Sequence, residues 1–150
     1  MWHRIIFVCT GNTCRSPMAE RLMMNELGDN IGELKVISRG LSVLYPQGAN
    51  EKAHEQMKQR GIDLSNHEAT LLSDQDMDDA TLVLTMTHRH KQVLVSSYPS
   101  YENNFFTLKE YVHEEGDVED PFGSSDEIYE KCAKELQYLV KRLVELIIEI

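Results

Sequence analysis

Short apolar runs alternate along this chain with longer segments in which apolar residues recur every three or four positions. Residues 4–9, 34–38, 81–86 and 105–108 are the short runs and predict strands, the last of them the weakest. Between the first two, a helix is predicted over 16–27, stopped by Gly28-Asp29-Asn30. Further helices are predicted over 50–60, ending at Gly61, and over 87–97, ahead of Pro99. A short one over 73–79 has Ser73 as its cap. The longest pattern opens with Ser124 and Glu127 in capping-box spacing. Tyr129, Cys132, Leu136, Leu139, Leu143, Leu146 and Ile150 follow it, and Ile128, Val140, Val144 and Ile147 widen the stripe beyond a coiled-coil seam. This helix is therefore predicted to pack onto a sheet. Strand–helix alternation with nearly continuous apolar strands implies a single three-layer α/β domain over residues 1–150, a four-stranded parallel sheet with helices on both faces. In such sheets ligands bind at the carboxyl ends of strands, which makes the loop after the first strand the expected site.

Charge narrows the candidate partners. Lys and Arg number 15 against 25 Asp and Glu, a formal charge of −10. So acidic a chain is repelled by nucleic acid and by anionic membranes, and neither is an expected partner. A phosphate site here has to build its own local positive field. No stretch has the length of a membrane span, and no leader is expected, since Met1-Trp2-His3-Arg4 runs into four apolar residues before Cys9. Three cysteines without a paired framework fit a reducing compartment, so a cytoplasmic protein is expected. The chain carries no signal of oligomeric state, and a monomer is the default expectation.

The loop after the first strand carries the chemistry: Cys9-Thr10-Gly11-Asn12-Thr13-Cys14-Arg15-Ser16-Pro17. Gly11 and Asn12 tolerate positive φ, so the chain can curl and aim successive N–H groups, from Thr10 to Arg15, at one anion. Ser16 is a good N-cap and Pro17 suits the first helical position, which starts a helix with its positive end facing the anion. The same field favours the thiolate form of Cys9 that nucleophilic attack requires. Arg15 supplies a planar fork able to hold two phosphate oxygens. A bare Cys-x5-Arg is a weak signal; strand, loop and helix start together are a strong one.

The chain resembles the low-molecular-weight protein tyrosine phosphatases, whose signature is a Cys-x5-Arg-Ser loop after the first strand. That family carries its general acid in an Asp-Pro-aromatic segment before the last helix, here Asp120-Pro121-Phe122, and residues 79–87 resemble its third strand. The resemblance implies that Cys9 attacks phosphorus to form a phosphocysteine, which water later hydrolyses. Residues Thr10 to Ser16 then form the phosphate cradle, and Asp120 protonates the leaving group before acting as base. Asp117 is the fallback acid. Ser16 in the family pattern hydrogen-bonds the nucleophile's sulfur, beside its alternative role as a plain N-cap. Phe122 is expected at the rim of the site. Tyr45 is an equally open choice between substrate contact and ordinary loop residue.

Thr13 is the departure with most consequence. The tyrosine phosphatases usually have isoleucine there, whereas the related protein arginine phosphatases resemble this chain in having threonine. A hydroxyl at the loop wall can orient a polar guanidinium where a methyl favours a flat ring, an effect of roughly one to two powers of ten. Protein phosphoarginine is therefore the favoured substrate and phosphotyrosine the alternative, with Thr13 then a neutral exchange. Cys14, five residues after Cys9, is either a redox partner for it or a buried wall residue. Cys132 falls on the core stripe. No metal or other cofactor is expected: Cys9 and Cys14 lack metal-ligand spacing, and His88 and His90 point apart on a helix, as solvated or rim residues. An arsenate reductase on the same scaffold needs relay cysteines in mid-chain, absent between Arg15 and Lys131. A non-catalytic phosphate-binding module has no use for both a thiolate and a distant acid.

Overall fold

The strand β1 (Arg4–Cys9) is apolar on both faces because it runs through the middle of the molecule. In the computed structural model, which describes residues 2–148, β1 pairs in parallel with β2 (Lys35–Gly40) on one side. On the other it pairs in parallel with β3 (Thr81–Thr85), and β4 (Phe105–Thr107) adds to β3. The order β2-β1-β3-β4 is a four-stranded parallel sheet. The chain leaves β1 toward one neighbour and returns on its other side, so the carboxyl end of β1 is the topological switch point.

Alternation along β1 feeds two cores. Ile5, Phe7 and Cys9 face α1 (Arg15–Leu27) and α5 (Asp126–Ile148), together with α2 (Glu51–Gln59). Ile6 and Val8 face the opposite layer, where Leu94 of α3 (His88–Ser97) packs with Val83, Phe105 and Leu72. The three layers expected from the alternation are present.

Several boundaries move, each for a local reason. β2 starts one residue late, because Leu34 N–H closes a turn onto the Ile31 carbonyl, and runs on to Gly40, which pairs with Cys9. β4 ends at Thr107, whose side chain caps a four-residue helix, α4 (Leu108–Tyr111), in a box with Glu110. That helix is too short to leave a periodic signal. The last helix begins one residue later than its predicted capping box. Ser124 N–H is taken by a turn onto the Pro121 carbonyl, Gly123 having φ 78°. Ser125 Oγ then caps by accepting from Ile128 N–H at 3.4 Å. Ile128 is consequently exposed rather than part of the buried stripe, whereas Tyr129 through Val144 follow the predicted face. Ile150 lies outside the described residues.

Candidate active site

After Cys9 the chain curls, and α1 begins at Arg15, one residue earlier than expected. Ser16 is thus inside the first turn, not at the cap, and the N-cap position belongs to Cys14, which makes no side-chain cap bond. Of the two residues expected at positive φ only Asn12 takes it, at 57°. Gly11 does not, and a Cβ there would meet only Thr13 Oγ1, at 3.8 Å. Asn12 can hold its conformation because every polar group of its side chain is used. Its Nδ2 donates to Ser16 Oγ at 2.8 Å and to Ser38 Oγ at 2.9 Å, and its Oδ1 accepts from Thr70 N–H at 2.9 Å. His67 Nε2 lies 2.7 Å from its carbonyl oxygen. Ser38 in turn donates to Glu20 Oε1 at 2.8 Å. The close approach of β2 to the loop requires glycine at 40, since a Cβ there would sit 2.9 Å from the Thr10 carbonyl and 2.7 Å from Val43 Cγ2.

The network orients the chemistry at the loop's base. Ser16 Oγ lies 2.9 Å from Cys9 Sγ. Ser16 Oγ accepts from Asn12, and its O–H has two acceptors in reach, the Arg39 carbonyl at 3.5 Å and the much closer Cys9 sulfur, to which it can donate when Cys9 is a thiolate. Among the described residues, the backbone N–H groups from Gly11 to Arg15 have no acceptor within the protein, which leaves a ring of donors for an anion. Around this ring the loop is braced from outside. Leu41 and Ser42 N–H groups donate to the carbonyls of Cys9 and Thr10, and Asn50 N–H to that of Thr13.

Arg15 is almost wholly buried and held by donation from Nη1 to the Val118 carbonyl at 2.9 Å. Its Nη2 is 3.7 Å from Asp120 Oδ2, so the two ends of the chain that carry the predicted catalytic groups meet here. Asp120 is 52 % exposed, and its Oδ1 accepts from Phe122 N–H at 3.1 Å in a tight local turn. Phe122 is an exposed rim residue. Asp117, the fallback acid, is committed elsewhere: its Oδ1 accepts from His88 N–H and sits 3.0 Å from His88 Nδ1.

His90 corrects the expectation of a solvated or rim histidine. It is buried, with Nε2 2.9 Å from Thr10 Oγ1. Burial, helped by the charge of Arg15, pushes its pKa down to about 4, so the ring is neutral at physiological pH. Cys14 is buried with Sγ 3.3 Å from Tyr129 Oη. Its pKa is raised, first by burial and also by the neighbouring Cys9, against the pull of hydrogen bonds from Tyr129 and Thr13. Burial likewise raises Cys132, to about 12, as fits a core thiol. Among the described residues the hydrogen-bond partner of Thr13 Oγ1 is Cys14 Sγ, at 3.9 Å, and no oxygen or nitrogen is bonded to it. The roles of Asn12, Ser38, His67 and His90 as braces escaped the sequence reading. The one available signal was polar Ser38 two residues after Val36, on the buried face of β2.

The family model for low molecular weight phosphotyrosine protein phosphatases matches residues 4–149. The chain is 44% identical over 142 residues to a protein-arginine-phosphatase of Bacillus subtilis, covering 94% of each. It is 45% identical to a low molecular weight protein tyrosine phosphatase from T. tengcongensis, whose crystal structure superposes with a TM-score of 0.88 over 95% of this chain and 97% of that one. A third structure is a cysteine-to-serine mutant of the YwlE arginine phosphatase with its active-site serine phosphorylated. It matches at a TM-score of 0.89 and 42% identity, over 95% of this chain and 94% of that one.

Proposed function

This chain belongs to the low molecular weight phosphotyrosine protein phosphatase family, and within it we propose that the protein hydrolyses phosphoarginine in proteins. The observation that carries the substrate is Thr13: a hydroxyl on the loop wall whose one hydrogen-bond partner among the described residues is Cys14 Sγ, at a long 3.9 Å, which leaves it able to orient a guanidino nitrogen. The relative named a protein-arginine-phosphatase supports the same reading.

In the first step the Cys9 thiolate attacks phosphorus; the S–P bond forms and the P–N bond breaks. Asp120, as the carboxylic acid, delivers its proton to the departing nitrogen, so arginine leaves as guanidinium. Arg15 and the N–H ring from Gly11 to Arg15 hold the equatorial oxygens throughout. In the second step Asp120 takes a proton from water, which attacks phosphorus. The S–P bond breaks, orthophosphate departs and the thiolate returns to its hydrogen bond with Ser16. The relative whose active-site serine carries phosphate supports a covalent intermediate at the Cys9 position. No step uses a metal or organic cofactor.

The test is kcat/KM on matched peptides carrying phosphoarginine or phosphotyrosine. The wild type is expected to prefer phosphoarginine, and Thr13→Ile to lower that preference by about 10- to 100-fold. A wild type that prefers phosphotyrosine, with no response to Thr13→Ile, makes the protein a tyrosine phosphatase instead.

The three free cysteines, Cys9, Cys14 and Cys132, support a cytoplasmic setting, and the acidic surface disfavours nucleic-acid partners. Among the described residues no helix is long and apolar enough to cross a membrane. Cys14 serves as the resolving thiol: peroxide oxidises Cys9 to the sulfenic acid, and Cys14 displaces water to form a disulfide that thiol reductant reverses. Activity lost to peroxide should return on reduction in the wild type and stay lost in Cys14→Ala. Equal recovery in both excludes this role.

A further inference from the structure

Lys52 stands in the first turn of α2, outside the loop that holds Cys9 and outside the segment that holds Asp120, yet it is bonded toward both. Its Nζ donates to the Ser124 carbonyl at 2.7 Å and lies 3.6 Å from Asp126 Oδ1. It also sits 5.9 Å from the centre of the Tyr129 ring, whose hydroxyl meets Cys14 of the phosphate loop. Two residues before it, Asn50 caps α2 by accepting from Lys52 N–H, and Asn50 N–H donates to the Thr13 carbonyl. A continuous path therefore runs from the phosphate loop through Asn50 and Lys52 to Ser124.

Ser124 closes the segment that carries Asp120. At its near end the segment is fixed: Val118 N–H donates to the Met86 carbonyl, and the Val118 carbonyl accepts from Arg15. From Asp120 to Ser124 it is a local unit, made of the Asp120–Phe122 turn and the Pro121–Ser124 turn. Gly123 takes φ 78°, which lets the chain turn sharply between Pro121 and Ser124. Its far end runs into α5 at Asp126 and is tied across to α2 by Lys52. Both contacts are solvent-exposed; the Asp126 pair contributes little, and the Ser124 bond is the shorter and is charge-assisted.

We propose that Lys52 is a positioning residue that ties the Asp120 segment to the phosphate loop and so sets the distance over which Asp120 transfers its proton. The inference rests on the reading of Asp120 as general acid. Its signature follows from that role: a displaced acid penalises only leaving groups that need a proton. A lost surface charge or a softened fold lowers turnover of all substrates alike.

The test is kcat/KM for phenyl phosphate and for 2,4-dinitrophenyl phosphate, whose leaving group departs without a proton. The proteins compared are wild type, Lys52→Met, Lys52→Arg and, as reference, Asp120→Asn. Methionine keeps the aliphatic stem over Tyr129 and removes the donor. Lys52→Met is expected to lose about tenfold more activity on the phenyl ester than on the dinitrophenyl ester, and Lys52→Arg to recover most of it. A loss in Lys52→Met that is equal for the two esters, while Asp120→Asn discriminates between them, overturns the positioning role alone. If Asp120→Asn fails to discriminate, the acid assignment falls, and this inference falls with it.

Discussion

Replacing Cys9 by serine should lower kcat/KM on every phosphorylated substrate by about 10⁴-fold or more. The loss comes from chemistry rather than folding. Serine is close in shape, and Ser16 Oγ, 2.9 Å from Cys9 Sγ, offers the new hydroxyl a partner in a buried position. Arg15, fixed by Val118, and the N–H ring are untouched, so the variant should still bind phosphorylated peptides. What it lacks is a thiolate nucleophile and a leaving group good enough to be displaced by water. Steady-state assay, peptide binding and thermal melting together check this. A Cys9→Ser protein that turns over at a tenth of the wild-type rate would assign the nucleophile elsewhere.

Asp120→Asn should cost about 10²- to 10⁴-fold in kcat/KM on phosphoarginine peptides. The amide is isosteric and its oxygen can still accept from Phe122 N–H, so the local turn persists. It cannot, however, give up a proton at the first step or take one from water at the second. The ion contact to Arg15 is long, at 3.7 Å, and half exposed, and its loss alone is worth little. The drop should therefore appear in rate with binding of the peptide nearly unchanged. Were the activity to survive within a few-fold, Asp120 would be a turn residue and no more.

How much of this was legible in the sequence follows from how local each signal is. The sheet was legible because Ile5 to Val8 and Thr81 to Leu84 are buried on both faces and carry no polar interruption beyond Thr81. The phosphate loop was legible because its parts are consecutive. Its meeting with Asp120 was not; it rests on contacts spanning the chain, and only the resemblance of Asp-Pro-Phe to a family motif pointed to it. The bracing of Asn12 was invisible for the same reason, since its partners lie 26 residues away at Ser38 and 58 away at Thr70. His90 read as a rim residue because a histidine in a polar helix turn carries no mark of the pocket it fills. Two adjacent serines, 124 and 125, made the start of α5 ambiguous by one residue, and the turn at Gly123 decided it. Lys52 carries no mark in the sequence that separates it from other charges on a solvated helix face, since Ser124 lies 72 residues away.

The most direct measurement is a rapid denaturing quench of the wild-type enzyme during turnover of a phosphoarginine peptide, followed by mapping of the phosphorylated fragment. A phosphoryl group should appear on the Cys9 fragment as fast as free arginine peptide is released and decay with orthophosphate release. Release of both products with no phosphoenzyme, or phosphate on a residue other than Cys9, would contradict it.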